Sequence, residues 1–157
     1  MYKVSLAIPI YNVSLFVERA LLSVLNQTYD NIEYLIVDDK GQDDSMDIVH
    51  RIIKDHPRGK DVRIIEHPYN IGLGATRNTA IDNAQGEYLF FMDSDDEIIP
   101  TCIEILVHKM QEHPVDFIAA SHMKKDLSGK TYPTYTYSPI LIQGDDLPVA
   151  QYRYAQN

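Results

Sequence analysis

The stretch Phe90-Phe91-Met92-Asp93-Ser94-Asp95-Asp96-Glu97 runs three large apolar residues straight into a cluster of acidic ones. Like charges that close repel, so the cluster calls for a positive partner. Asp93 and Asp95, with Ser94 between them, leave an apolar run two residues apart. That spacing suits a hard divalent cation such as Mg²⁺ or Mn²⁺, which takes oxygen ligands and keeps positions open for phosphate oxygens. An ion so held would clamp a diphosphate and stabilise charge on a departing phosphate. A solvated acidic turn is the competing reading of a lone Asp-x-Asp. It does not explain why an apolar run delivers the cluster to a strand end.

Two further groups carry candidate chemistry. Asp38-Asp39 closes the run Ile32–Val37. A carboxylate at a strand end accepts hydrogen bonds from a base N–H or a ribose hydroxyl; a turn-capping Asp is the alternative. Asn70-Ile71-Gly72-Leu73-Gly74-Ala75-Thr76-Arg77-Asn78 places two glycines before a helical pattern. Glycines permit close backbone approach, and a helix N-terminus favours anions. Arg77, in that helix's first turn, is placed to meet phosphate or to pair with Asp93 or Asp95; a purely structural ion pair is the alternative.

These groups need a scaffold. Short, nearly continuous apolar runs recur at Val4–Ile10, Ile32–Val37, Val62–Ile65, Tyr88–Met92 and Val115–Ala119. Such runs predict strands covered on both faces, as in parallel sheets. Helical patterns lie between them. The first is Leu15–Asn26, with Ser14 as N-cap and Glu18 in the first turn. The second, Ser45–Asp55, carries Ile48, Val49, Ile52 and Ile53 as a stripe. The third, Ala75–Ala84, is stopped by Gly86, and the fourth opens with Pro100 as its first residue. His56, His67 and His113 each precede a proline and read as element boundaries rather than as chemistry. After Ala120 the pattern weakens: residues 124–130 read as a turn, and Tyr132, Tyr135 and Tyr137 have the spacing of a strand. Residues 143–157 take no assignment.

The alternation of strand and helix predicts an open α/β sheet with right-handed crossovers. Ligands of such sheets bind beyond the carboxyl ends of the strands. Pro9, Tyr11 and Asn12, then Asp38-Asp39, then Asp93–Asp96 would then share one edge.

Composition narrows the function. The 157 residues suit one domain, and 14 basic against 23 acidic residues give a net charge of −9. That balance argues against non-specific nucleic-acid binding, which rests on a positive surface. A divalent cation would let an acidic protein hold a phosphorylated small molecule. The single cysteine, Cys102, excludes an intrachain disulfide and fits a reducing compartment; its neighbours Ile103, Ile105 and Leu106 make it a core residue. Pro9 and Asn12 interrupt the apolar N-terminus, and no run is long enough to cross a bilayer. The expectation is a cytoplasmic protein, with peripheral membrane association open.

Taken in order, VSLAIPIYN at 4–12, LNQTY at 25–29, IVDD at 36–39, NIGLGATRN at 70–78, GEYLFFMDSDD at 86–96 and Pro100 resemble the inverting family 2 glycosyltransferases of GT-A fold. The likeness covers roughly Lys3 to Ala120. It implies a nucleotide-sugar donor, commonly a UDP-sugar, and Mn²⁺ or Mg²⁺. By the same resemblance Asp93 and Asp95 form the metal-binding D-x-D motif, with Asp95 the main contact and Asp93 also near the ribose. Asp39 would read the base with Asp38 beside it. Pro9, Tyr11 and Asn12 would line the base and ribose pocket, and Arg77 would lie near the diphosphate. The acceptor would be a saccharide, a lipid-linked molecule or a protein.

Two departures stand out. After Val37-Asp38-Asp39 the family usually has a small Gly-Ser turn, where this chain has Lys40-Gly41-Gln42. The family's general base comes from an acidic motif well after the D-x-D, and only Asp126, Asp145 and Asp146 follow residue 120 here. Residues 1–120 are therefore expected to be the nucleotide-sugar-binding core, and 121–157 the start of a truncated acceptor side without the base. A donor-binding module without turnover and a nucleotidyltransferase are the alternatives. A dinucleotide-binding oxidoreductase ranks lower, because IPIYNVS after the first strand has no glycine.

Overall fold

The computed structural model describes residues 1–126 and 128–135. The chain divides into two compact units, Met1–Pro114 and Val115–Asn157. In the first, β1 (Val4–Ile10), β2 (Ile32–Asp38), β3 (Val62–Glu66) and β4 (Tyr88–Phe91) alternate with α1 (Val17–Leu25), α2 (Ser45–Asp55) and α3 (Leu73–Asn83); α4 (Cys102–Glu112) follows β4. The strands form one parallel sheet in the order β3-β2-β1-β4.

The pleat explains how the layers are filled, because alternate residues of a strand face opposite sides of the sheet. Val4, Leu6, Ile8 and Ile10 of β1 join Ile32, Tyr34 and Ile36 of β2 in a core covered by α1, α2 and α4. Val17, Ala20, Leu21, Val24 and Leu25 of α1 are its buried stripe. Full burial of each large side chain contributes roughly 1.5–3 kcal/mol. The opposite face is thinner: Ala7, Leu35 and Val37 pack with Ala80 of α3.

The strand order reverses direction between β1 and β4, which is where a doubly wound sheet opens a crevice. Pro9 explains the opening here. Lys3 and Ala7 accept hydrogen bonds from the N–H groups of Tyr88 and Met92, so odd-numbered residues of β1 aim their peptide groups at β4. Pro9 is next in that series and has no N–H to offer. The β1–β4 ladder ends at Ala7 and Phe91, while β1 stays paired with β2 as far as Ile10 and Asp38. Beyond Met92, whose N–H is the last to reach β1, the chain turns away.

Several boundaries differ from expectation, each for a tertiary reason. Ser14 does not cap α1. Its N–H donates to Asp43 at 2.8 Å, and the helix begins at Val17. Pro100 precedes α4, which starts at Cys102; its carbonyl accepts from the Thr28 N–H at 2.8 Å. Gly86 does not end α3 through a left-handed turn. A Cβ there would lie 2.6 Å from the Ser5 nitrogen and 2.7 Å from the Lys3 oxygen, so the residue is small to let the chain cross β1.

In the second unit, Val115–Ala119 is not a strand. A strand needs a ladder partner as well as an apolar run. Neither sheet includes this segment, and Phe117 is 54% exposed. The described strands of this unit, β5 (His122–Lys125) and β6 (Thr131–Tyr135), form an antiparallel hairpin. Lys124 and Lys125 therefore lie in a strand and the turn begins at Asp126. Tyr137 and residues 143–157 lie outside the described residues.

Candidate functional site

A cavity of about 490 Å³ opens at the carboxyl ends of β1 and β4, within the usual range for small-ligand sites. Pro9, Tyr11 and Val13 line one side, and Asp93, Ser94 and Asp95 another. Asp39, Asn70, Gly72, Leu73 and Thr76 complete the lining. Tyr11 is 47% exposed, so its ring is available to a ligand.

The acidic cluster is a tight turn after β4, closed by the Asp96 N–H donating to the Asp93 carbonyl at 3.1 Å. Ser94 is buried, whereas Asp93 and Asp95 are exposed. Arg77, the fifth residue of α3, donates from Nη2 to Asp93 Oδ1 at 2.7 Å. Arg77 is not among the cavity-lining residues and reaches the site through Asp93.

Asp93 and Asp95 present hard oxygen donors to an open cavity. Magnesium-type sites commonly use one or two carboxylates, with phosphate oxygens and water completing the shell. Among the described residues no group of three or more His, Cys, Asp or Glu is placed to hold a metal. The donor set thus fits an ion completed by a phosphorylated ligand rather than a closed protein cage.

Asp39 is 2% exposed and already engaged. Oδ1 accepts from the Ile71 N–H at 2.9 Å and lies 2.7 Å from His67 Nδ1. Oδ2 accepts from the Gly72 N–H and the Asn70 side chain, each at 3.0 Å. Burial pushes this carboxyl up. The Ile71 N–H, His67 and the Gly72 N–H, with a lesser contribution from the nearby Thr76 hydroxyl, outweigh burial and hold it below the usual carboxylate range. Gly72 is the N-cap of α3 with φ +87°, a conformation that favours glycine. Asp39 thus holds the Ile71 and Gly72 N–H groups, immediately ahead of the first residue of α3.

Asp38 and Asn12 do not line the cavity. Asp38 is held by Lys40, through the backbone N–H at 2.8 Å and Nζ at 3.1 Å. Lys40 Nζ also reaches Glu66 at 2.7 Å. Asn12, at φ +51°, accepts from the Gln42 N–H at 2.7 Å. A Cβ on Gly41 would sit 2.8 Å from the Asn12 nitrogen, so the unusual Lys40-Gly41-Gln42 turn packs directly behind the tip of β1.

From the sequence His67 reads only as an element boundary before Pro68. It is buried, and it links Asp39 to Thr79 Oγ1, 2.9 Å from Nε2. The available signal was its place at the end of a strand beside the glycine turn. Beyond Ala120, Asp126 accepts from the Ser128 N–H and hydroxyl and the Lys130 N–H, all within its own turn. Asp145 and Asp146 lie outside the described residues.

Comparison with known proteins matches this architecture. The chain is 37% identical over 129 residues to the Escherichia coli UDP-Glc:alpha-D-GlcNAc-diphosphoundecaprenol beta-1,3-glucosyltransferase WfaP, covering 80% of this chain and 49% of that protein. It is 31% identical over 112 residues to the Campylobacter jejuni GalNAc(5)-diNAcBac-PP-undecaprenol beta-1,3-glucosyltransferase, covering 71% of this chain and 36% of that protein. The structure of S. aureus TarS 1-349 in complex with UDP superposes with a TM-score of 0.67 at 26% identity, covering 84% of this chain and 38% of that one. The chain therefore spans about half or less of each of these proteins. The sheet and its flanking helices are of the GT-A type seen in such neighbours. Residues 5–151 match Glycosyl transferase family 2, and the chain belongs to that family.

Proposed function

We propose that the chain carries the donor half of a metal-dependent, inverting glycosyltransferase that moves a sugar from a UDP-sugar to an acceptor hydroxyl. The observation that carries this reading is the cavity itself. It joins the Pro9–Tyr11 wall to the Asp93 and Asp95 carboxylates where β1 and β4 separate. The names of the E. coli relative and of the S. aureus structure, with UDP-Glc and UDP respectively, support a uridine donor.

In this reading Pro9 and Tyr11 pack against the nucleoside. Asp95, with Asp93, holds Mn²⁺ or Mg²⁺ against the diphosphate. That ion supplies charge stabilisation to the leaving phosphate. Ser94, which lines the cavity between the two carboxylates, contacts the nucleotide-sugar. Arg77 is shared between Asp93 and the diphosphate. Asp39 faces the base or ribose. To read a base N–H it must release one of its present donors, and exposed Asn70 is the one free to move. Asp38 and Asn12 act from behind, by fixing the turns after β2 and β1.

Sugar transfer needs a base to deprotonate the acceptor hydroxyl. Asp126 is a poor candidate: the Ser128 hydroxyl holds its carboxyl below the ordinary range against the upward push of desolvation, and the Lys130 N–H, Tyr132 and the Ser128 N–H add to the lowering. This favours donor binding as the role of the described part, with turnover requiring a base from outside it. The C. jejuni and E. coli relatives are named for diphosphoundecaprenol-type acceptors, which supports a lipid-linked saccharide as acceptor here. Such an acceptor would bring a cytoplasmic enzyme to a membrane surface. No helix among the described residues is long and apolar enough to cross one.

Calorimetric titration of UDP tests the reading, first with Mn²⁺ and then with EDTA. Binding that requires the metal is expected. Absence of binding to UDP, GDP and dTDP under both conditions would overturn it.

A further inference from the structure

We infer that His67 is a positioning residue: acting through Asp39, it sets the wall Asn70-Ile71-Gly72, whose Asn70 and Gly72 line the cavity. The identity of that cavity as a donor pocket rests on the function proposed above; the structural role of His67 does not.

The ring of His67 is 6% exposed, and a buried polar ring is costly unless both nitrogens are satisfied. Each nitrogen has a partner: Nδ1 faces Asp39 Oδ1 at 2.7 Å, and at 2.9 Å Nε2 faces Oγ1 of Thr79, whose hydroxyl donates to the Ala75 carbonyl at 3.1 Å. An ionised carboxylate only accepts, so Nδ1 carries the proton and donates. The backbone N–H of His67 donates to the Asp38 carbonyl at 2.9 Å. The residue therefore bridges the end of β2 and the body of α3, with the wall suspended between them.

Asp39 needs that brace. Its two oxygens meet two consecutive backbone N–H groups, Oδ1 with Ile71 and Oδ2 with Gly72. A carboxylate rotated about its Cβ–Cγ bond would lose both at once. Asn70, the other side-chain donor, is exposed and belongs to the wall itself. His67 is the partner that is buried and anchored elsewhere. Its hydrogen bond fixes the carboxylate plane, and the plane fixes the Gly72 turn that opens α3.

Two substitutions separate this role from simple packing. The amide nitrogen of Asn stands where Nδ1 stands, and that of Gln stands where Nε2 stands. His67→Asn keeps the bond to Asp39 and gives up Thr79; His67→Gln does the reverse. The measurement is hydrogen–deuterium exchange at the Ile71 and Gly72 amides in the whole chain without nucleotide, followed by UDP affinity with Mn²⁺.

We expect His67→Gln to speed exchange at both amides by about tenfold or more, and His67→Asn to stay within roughly threefold of wild type. UDP affinity should follow the same order. Thr79→Val, which leaves the Asp39 contact in place, should exchange like wild type. Equal exchange in the Asn and Gln variants, or a Thr79→Val variant as loose as His67→Gln, would overturn the inference. Should wild type bind no UDP while the exchange order holds, the donor assignment fails and His67's role stands.

Discussion

Arg77 Nη2 and Asp93 Oδ1 lie 2.7 Å apart, so α3 is tied to the acidic turn after β4 by one ion pair at the rim of the cavity. Arg77 and Asp93 side chains are 40% and 49% exposed. Exposed pairs of this kind contribute only ~0.2–1 kcal/mol to stability, so the geometry is better explained by function than by folding. Arg77 Nε is buried and has no hydrogen-bond partner among the described residues. Replacing Arg77 with Ala should shift stability by less than about 1 kcal/mol while weakening metal-dependent UDP binding roughly tenfold, the scale of a lost guanidinium–phosphate contact. Thermal melting paired with titration checks both. A large loss of stability with unchanged binding would make the pair structural.

Asp95 is exposed and faces the cavity. Asp95→Ala should leave the melting temperature nearly unchanged, because no buried contact is lost. It should also abolish the difference between UDP titrations in Mn²⁺ and in EDTA. Retention of that difference would remove the metal role proposed for this residue.

The strands were legible because parallel strands are buried on both faces and so read as unbroken apolar runs. β1 matches its expected limits, as does α2, whose stripe is unambiguous. The edge of the sheet to search followed from the parallel order alone. What stayed hidden are partners supplied from far along the chain. Ser14 has the right chemistry for an N-cap, yet Asp43 takes its N–H and the helix starts at Val17, two residues past the expected Leu15. Val115–Ala119 has the composition of a strand but no ladder. His67 looked like punctuation before Pro68, because nothing local says that Asp39 and Thr79 converge on it. Asp39 itself reads as a free carboxylate, although four donors already meet it.

Acid should loosen the turn behind the cavity. Burial raises the Asp43 carboxyl, but the Ser45 hydroxyl and the N–H groups of Ser14 and Ser45 more than offset it and bring it down to about 2. Its folded value lies below the ordinary 3.8, so its contribution is present above about pH 4 and is lost as pH falls through about 2. Asp39, also held low, acts with the same sign. Asp43→Asn should therefore be less stable than wild type at pH 6, with the gap narrowing toward pH 2.5. Urea unfolding at a series of pH values measures it. A gap independent of pH would show that charge is not the cause.

Gln27 ties the far end of the acidic segment to α1 and gives the LNQTY stretch a structural meaning. It is 2% exposed. Its Nε2 donates to the Ser23 and Ile99 carbonyls, each at 2.9 Å, and its Oε1 accepts from the Ile103 N–H at 3.0 Å. That last bond satisfies an N–H of the first turn of α4, where helices lack internal partners. Nearby, the Ile98 N–H donates to Ser23 Oγ at 3.3 Å. Gln27→Leu keeps the volume but leaves the Ile99 carbonyl and the Ile103 N–H short of a partner in the interior. A loss of about 2–4 kcal/mol is expected, since more than one buried group is left unsatisfied. Amide exchange should rise most across residues 97–103, because α1 no longer holds them. A change below roughly 0.5 kcal/mol in urea unfolding would mean that water replaces the side chain, and that the acidic turn is held in place by β4 and Arg77 alone.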